Sequence, residues 1–395
     1  MPKKIAKYPY FPVIVNFGVG LLLSSIASGV VWNWEQRNTK IEFEREIDNT
    51  THAIQYNLDN YALATKLLGG LYEISEKLKQ EEFQRFTSKI KPAHPALITV
   101  GWSPQIKQSE RVAYEQKMAL ENSATFEIKE HDEKGALLIT ARETGEYYPI
   151  TNIESSNSTI RRLIGYDLAS EQQHKQAIER AKNEEEIVFV RHFFLGHEST
   201  DNFVMYQPVY EPRAEFSRLN KKTEFFRGVV YVVFQPSIMV DKAIEGMRLE
   251  SIDFYLYNAP IEQVKSSLLK ESDRDDSDFV LFYDHNTKKV TQNSQEAQFL
   301  LSQREASGHN YCPGDPSWSA CLRPLYIGQE EWSLIFFPKE EFYRNTEHDS
   351  LMTLLVGMFA TGSLSFYLWS SIKRNIQTDR LVLSLTQEVK QIKEN

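Results

Sequence analysis

Two cysteines, Cys312 and Cys321, lie close together in YCPGDPSWSAC, where Pro313, Gly314, Asp315 and Pro316 make the intervening segment a turn. Such a pair is expected to close a local disulfide in an oxidising compartment; the alternative is two unrelated thiols. A structural zinc site is not expected, because it needs a second pair of ligands. His131, His192, His197, His285 and His309 show no metal-ligand spacing; His192 and His197, with Glu198 adjacent, come nearest to one. No glycine-rich phosphate loop, serine elbow or HExxH run is present, and Gly18 and Gly20 stand in an apolar stretch. No catalytic residue, metal or cofactor is therefore expected.

Other polar residues have spacing that suggests positioning work. Arg111 and Glu115 stand four apart on a predicted helix and would pair with each other. Alternatively, Arg111 would reach Glu154 or Asp167, a buried ion pair that fixes loops. In Gly165-Tyr166-Asp167-Leu168, Gly165 suits a turn, and Ser170 followed by Gln173 has capping-box spacing. Asp167 is then either structural or part of a pocket wall. Trp102 and Pro104 close a strand and begin a loop. His174 would make ligand binding pH-dependent if it titrates near neutrality, or would simply sit on a helix surface.

The elements that must position these residues begin and end with apolar stretches. Phe11 to Trp32 and Leu351 to Trp369 are uncharged and long enough to cross a bilayer. Lys3, Lys4 and Lys7 precede the first, while Lys373, Arg374 and Arg380 follow the second, so both termini are expected to be cytoplasmic, with residues 33–350 outside. The net charge of -9 argues against a nucleic-acid partner. From Trp34 to about Lys79, Ile47, Ile54, Tyr61 and Leu68 recur every seventh residue, joined by Leu58 and Leu71, which predicts an amphipathic stalk helix that Gly69-Gly70 would bend.

After Pro92 the pattern becomes mixed. Strands are expected at 96–100, 126–130, 137–141, 187–194, 203–209 and 226–235, and helices at 110–119 and 171–183. The helices come first and the strands last, giving an α+β sheet domain. A smaller α+β unit follows, with a helix at 236–246 and strands at 252–257, 279–284, 322–326 and 332–337. The charged run at 271–278 reads as a solvated loop. At the C-terminal end, Val382, Leu385, Val389 and Ile392 follow the 3-4-3 spacing of a parallel coiled coil.

TVGWSPQIKQSERVAYEQKM (99–118), YYPITNIESSN (147–157), IGYDLASEQQHKQAIERA (164–181), FVMYQPVY (203–210) and RGVVYVVFQPSIMVDKAI (227–244) together resemble the CHASE family, in order. These are extracellular sensor domains of histidine kinases and nucleotide cyclases. The second block departs from the family pattern at Ser155, where proline is usual. The resemblance implies an α+β fold: a long stalk helix with tandem PAS-like antiparallel sheets, flanked by two transmembrane helices. The expected boundaries are 1–10 cytoplasmic, 11–32 first span, 33–80 stalk, 81–245 membrane-distal sensor, 246–350 membrane-proximal unit, 351–370 second span and 371–395 signalling helix.

The resemblance further implies a small-molecule ligand on the distal sheet. In the cytokinin-binding members, an adenine-gripping aspartate falls at His174 of this chain and a ligand-contact threonine at Tyr206, so cytokinin is not the expected ligand. The candidate pocket residues are Leu163, Tyr166, Leu168, His174, Phe193, Tyr206 and Pro208, apolar and aromatic walls with a few polar tips. A homodimer through the stalk and C-terminal helices is expected, with ligand binding shifting the second span relative to the first. The output domain, a histidine kinase or cyclic-di-GMP enzyme, is expected beyond Asn395; the alternative is a short membrane-anchored binding module acting through a partner protein. On family grounds, the setting is a Gram-negative inner membrane.

Overall fold

The computed structural model describes residues 10–75, 78–122, 125–132, 137–155, 160–191, 202–211, 225–247, 249, 252–268, 278–292, 321–338 and 348–394. The chain divides into two compact units, Glu46–Pro338 and, separately, Met1–Arg45 with Lys339–Asn395.

Helix α1 (Phe11–Ile74) joins the first apolar stretch and the stalk in a single element. Next come α2 (Gln80–Ile90), β1 (Leu97–Pro104), β2 (Ile106–Lys107), α3 (Arg111–Asn122), β3 (Lys129–His131), β4 (Leu138–Thr140), β5 (Glu146–Tyr147) and β6 (Asn152–Ser155). They are followed by α4 (Gln172–Glu184), β7 (Val188–Arg191), β8 (Phe203–Tyr210), β9 (Phe226–Phe234) and α5 (Pro236–Ala243). The second sheet region holds β10 (Ile252–Tyr257), α6 (Ile261–Leu268), β11 (Phe279–Asp284), β12 (Lys289–Thr291), β13 (Leu322–Ile327) and β14 (Glu330–Pro338), and α7 (His348–Glu394) ends the chain.

The first sheet has the order β6-β1-β9-β8-β7, with every pairing antiparallel. Numbered within the sheet along the chain, this is 2-1-5-4-3, the PAS-like arrangement. The second sheet, β12-β11-β10-β14-β13, repeats the 2-1-5-4 core of that order. The first strand of each sheet is therefore interior. Helices α2 and α6 and strands β2, β5, β6 and β12 were not expected, because each is short and lacks a long run of alternating residues.

Within the Glu46–Pro338 unit, α1 lies along both sheets. Ile47, Ile54, Leu58, Tyr61 and Leu68 are buried, as the sevenfold spacing requires. Each such side chain stabilises the packing by about 1.5–3 kcal/mol. Gln55 donates from Nε2 to the Tyr326 carbonyl (2.7 Å) and accepts from the Tyr326 N–H at Oε1 (2.8 Å), capping the open edge of β13. Asp48 receives Arg323 Nε at 2.6 Å. Further along, Tyr61 Oη accepts from Ala96 N (3.1 Å), and the Tyr72 ring stacks on Trp102 with centroids 4.3 Å apart. The helix runs through Gly69-Gly70 without a break. Gly69 instead allows close approach to the sheet, since a Cβ there would lie 2.8 Å from Gln207 Cγ.

Strand alternation then assigns the faces of the first sheet. Met205 receives Thr65 Oγ1 of α1 at its sulfur, while Val204 and Tyr206 point to the opposite face, into a core of Leu163, Tyr166, Leu168, Ile178 and Tyr231 beneath α4. Trp332 of the second sheet packs against Phe203 and Phe189 of the first.

Candidate ligand-binding site

Asp167 anchors the turn leading into α4. Its Oδ1 accepts from Tyr148 N (2.7 Å) and from Ala169 N (3.1 Å), so it caps the single turn Leu168–Ser170. The expected Ser170–Gln173 capping box does not form: α4 has Glu171 as its N-cap, and Ser170 Oγ donates back to the Asp167 carbonyl at 2.7 Å. Asp167 takes the capping role because its carboxylate reaches two backbone donors that would otherwise be buried without partners. Burial pushes its carboxyl up to about 6, against the lowering by the two N–H donors. Gly165 supplies the left-handed backbone (φ 90°) that a side chain would strain, and its N–H and C=O bond to Ile150 O and Lys129 N, both at 2.8 Å.

Arg111 is buried and makes four contacts: Glu115 Oε1 (3.1 Å), the Ala141 carbonyl (2.8 Å), Tyr147 Oη (3.1 Å) and the Ile128 carbonyl (3.3 Å). Glu115 also accepts from Ile128 N at 2.9 Å. The pair thus ties α3 to the segments carrying β3, β4 and β5. Glu154 lies in β6 opposite Val100, on the other side of β1 from β9.

Of the candidate pocket residues, Leu163, Tyr166, Leu168 and Tyr206 share one buried core cluster, and Pro208 is buried on the same strand face as Tyr206. Phe193 lies outside the described residues. His174 is 1% exposed, a core residue rather than a surface one. Its Nδ1 stands 2.8 Å from Tyr206 Oη and its Nε2 3.5 Å from Glu171 Oε2. Burial holds the Tyr206 phenol well above its ordinary value and pushes the His174 imidazole below its own, with Glu171 opposing the latter shift. A neutral imidazole accepting from Tyr206 at Nδ1 and presenting Nε2–H to Glu171 satisfies both contacts.

Glu171 joins two further groups to this pair. Tyr166 Oη donates to its Oε1 at 2.7 Å, and His131 Nδ1 lies 3.8 Å from the same oxygen, with the His131 ring against Tyr166. The His131 Nε2 is buried without a hydrogen-bond partner. Two histidines and Tyr166 thus gather around one carboxylate at the margin of an aromatic core, with Tyr206 joined through His174. Glu171 was not singled out from the sequence, although its position three residues before His174 puts both on one helical face.

A separate cleft of about 1170 Å³ opens on the α1-facing side of the first sheet. Trp102, Tyr72, Gln80, Asn152, Tyr114 and Lys117 are among its lining residues. None of the candidate pocket residues lines it. The Tyr72 hydroxyl at its floor is buried without a partner.

Cys321 is buried and disulfide-bonded; Cys312 lies outside the described residues. Among the described residues, Asp253, Asp284 and His285 bring ligand-type atoms within 4.8 Å of one another, a grouping that linear spacing hides because it spans two strands. There, Asp253 Oδ1 accepts from His285 N and faces Nδ1, both at 3.0 Å, so those atoms already satisfy one another.

Residues 76–269 match the CHASE domain family model. A germination-specific adenylate cyclase of Dictyostelium discoideum is 23% identical over 175 residues, covering 42% of this chain and 20% of that protein, so the chain spans about a fifth of its relative's length. Among solved structures, the ligand-binding domain of the Pseudomonas aeruginosa PAO1 amino-acid chemoreceptor PctC, in complex with GABA, overlaps 75% of this chain and 97% of its own at 10% identity and TM-score 0.37. Methyl-accepting chemotaxis protein X overlaps 75% of this chain and 97% of its own at 11% identity and TM-score 0.38. With the CHASE sequence blocks on one continuous sheet domain and two membrane-length helices in the same chain, the chain carries a CHASE domain, spanning residues 76–269.

Proposed function

We propose that the chain is a two-pass receptor of an inner membrane whose extracytoplasmic region, residues 33–350, binds a small molecule. The distal unit (81–245) receives the ligand and the proximal unit (246–350) passes its occupancy to α7. A cytoplasmic output domain, a histidine kinase or cyclic-di-GMP enzyme, then responds. The observation carrying this reading is the His131–Glu171–His174 cluster, in which the buried His174, Tyr166 and Tyr206 meet the half-buried Glu171 and His131 at the margin of the apolar core of the matched domain. Within the cluster the His131 Nε2 has no hydrogen-bond partner among the described residues, and a ligand presenting a complementary group would use it. Leu163, Leu168 and Pro208 supply the apolar wall.

The cleft beside Trp102 supports a second position for the ligand, because it is already open and has an unpartnered phenol at its floor. A thermal-shift screen of small metabolites on the intact chain in detergent separates the two. Stabilisation lost in His174→Gln but retained in Lys117→Ala places the ligand beneath α4, and the converse places it in the cleft. If no compound raises the melting temperature, small-molecule sensing is wrong.

A homodimer through the stalk and C-terminal helices is supported by Val382, Leu385 and Val389, which leave an apolar seam exposed on α7. The alternative, a membrane-anchored module acting through a partner protein, predicts instead that the purified chain stays monomeric.

A further inference from the structure

The membrane-helix unit has an inverted burial pattern. Its large apolar side chains, including Phe11, Phe17, Leu22, Phe359 and Phe366, are exposed, while Ser24, Glu35, Ser350 and Ser365 are buried. Association of helices in lipid produces this pattern, because apolar side chains gain nothing by leaving the tails while small residues let two backbones approach. On α1 the inward positions are Asn16, Gly20, Ser24 and Ser28, each four residues after the last. They meet α7 in antiparallel register. Asn16 Nδ2 donates to Ser365 Oγ at 3.0 Å. A Cβ added at Gly20 would overlap Thr361, and one added at Gly357 would overlap Ser24. Ser28 Oγ donates to the Ser350 carbonyl at 2.9 Å.

The register ends at a charged group. Glu35 Oε1 accepts from Asp349 N (3.0 Å) and Ser350 N (3.1 Å), two of the first N–H groups of α7, which have no partner within their own helix. Glu35 is only 6% exposed. A carboxylate from one helix therefore caps the start of the other, at the positive end of its dipole. Slipping α7 by one turn would remove both bonds, bury the carboxylate without donors and bring Gly20 and Gly357 out of register with their partners.

We infer that α1 and α7 of one chain are locked as a fixed antiparallel pair, clamped by Asn16–Ser365 at one end and by the Glu35 cap at the other. A signal then crosses the membrane as movement of the pair as one body, in place of the sliding of the second span along the first. The pairing does not depend on what the sensor binds.

Oxidative crosslinking of cysteine pairs in the full chain, in native membranes, tests the lock. The matched pairs Gly20→Cys with Thr361→Cys and Ser24→Cys with Gly357→Cys should crosslink within one chain, near its 45.9 kDa mass. The offset pairs, Gly20→Cys with Gly357→Cys and Ser24→Cys with Thr361→Cys, should not. Equal crosslinking of matched and offset pairs, or a product of doubled mass, overturns the inference. Adding Glu35→Ala should raise offset crosslinking about fivefold, as for loss of one helix cap, while Glu35→Gln, which keeps an acceptor oxygen, should not. Ser365→Ala should loosen the other end in the same way. If neither Glu35→Ala nor Ser365→Ala changes the pattern, the clamps are absent.

Discussion

Asp167 and His174 show how burial can turn ordinary residues into pH-dependent ones. The raised Asp167 carboxyl makes a contribution to stability that is fully present below 3.8 and lost as pH rises through about 6. The melting temperature of the intact chain should therefore fall relative to Asp167→Asn across that window. Asp167→Ala should cost about 1–3 kcal/mol, because the Tyr148 and Ala169 N–H groups lose their acceptor. A melting temperature unchanged in Asp167→Ala would mean that the cap does not hold the turn. The depressed His174 imidazole has the opposite sign: its contribution is present above 6.5 and lost as pH falls through the lower folded value. Acidification should thus destabilise the native chain more than His174→Gln, whose amide can still accept from Tyr206. Of these residues, the sequence marked Asp167 and His174 but not Glu171 or the role of His131. Glu171 reads as one more helix-surface acid, and His131 reaches it only because β3 folds beside Tyr166.

At the scale of elements, α1 was the most legible part, because a sevenfold apolar repeat sustained over many turns puts one stripe on one face of a helix. Ile54 is fully buried and Tyr56, two residues on, is exposed. Ile54→Ala should cost about 2–5 kcal/mol, whereas Tyr56→Ala should stay within about 0.5 kcal/mol. Denaturant titration of the intact chain in detergent measures both, and equal costs would mean that the stripe does not face the sheets. The capping of α4 was less legible. Ser170 and Gln173 fit the capping box, but Asp167 Oδ1 reaches Tyr148 N, a partner 19 residues away that no local spacing reveals. Short strands such as β5 and β6 are likewise stabilised by their neighbours, through pairings that their own residue pattern does not signal.

For the whole molecule, the orientation rests on the flanking lysines and arginines and is directly testable. A single cysteine at Ser384 in intact cells should resist a membrane-impermeant thiol reagent, while one at Tyr56 should react; the reverse labelling would invert the proposed topology. Sequence alone determined the two membrane-length helices, the stalk stripe and the CHASE domain, because uncharged length, heptad spacing and ordered blocks are properties of the chain read in line. Tertiary structure alone decided that each first strand is interior, that Gly69 serves close packing, that Glu171 gathers two histidines and Tyr166, and that Glu35 caps α7. Each of these joins residues far apart in sequence, and their contacts depend on folding geometry that local periodicity does not encode.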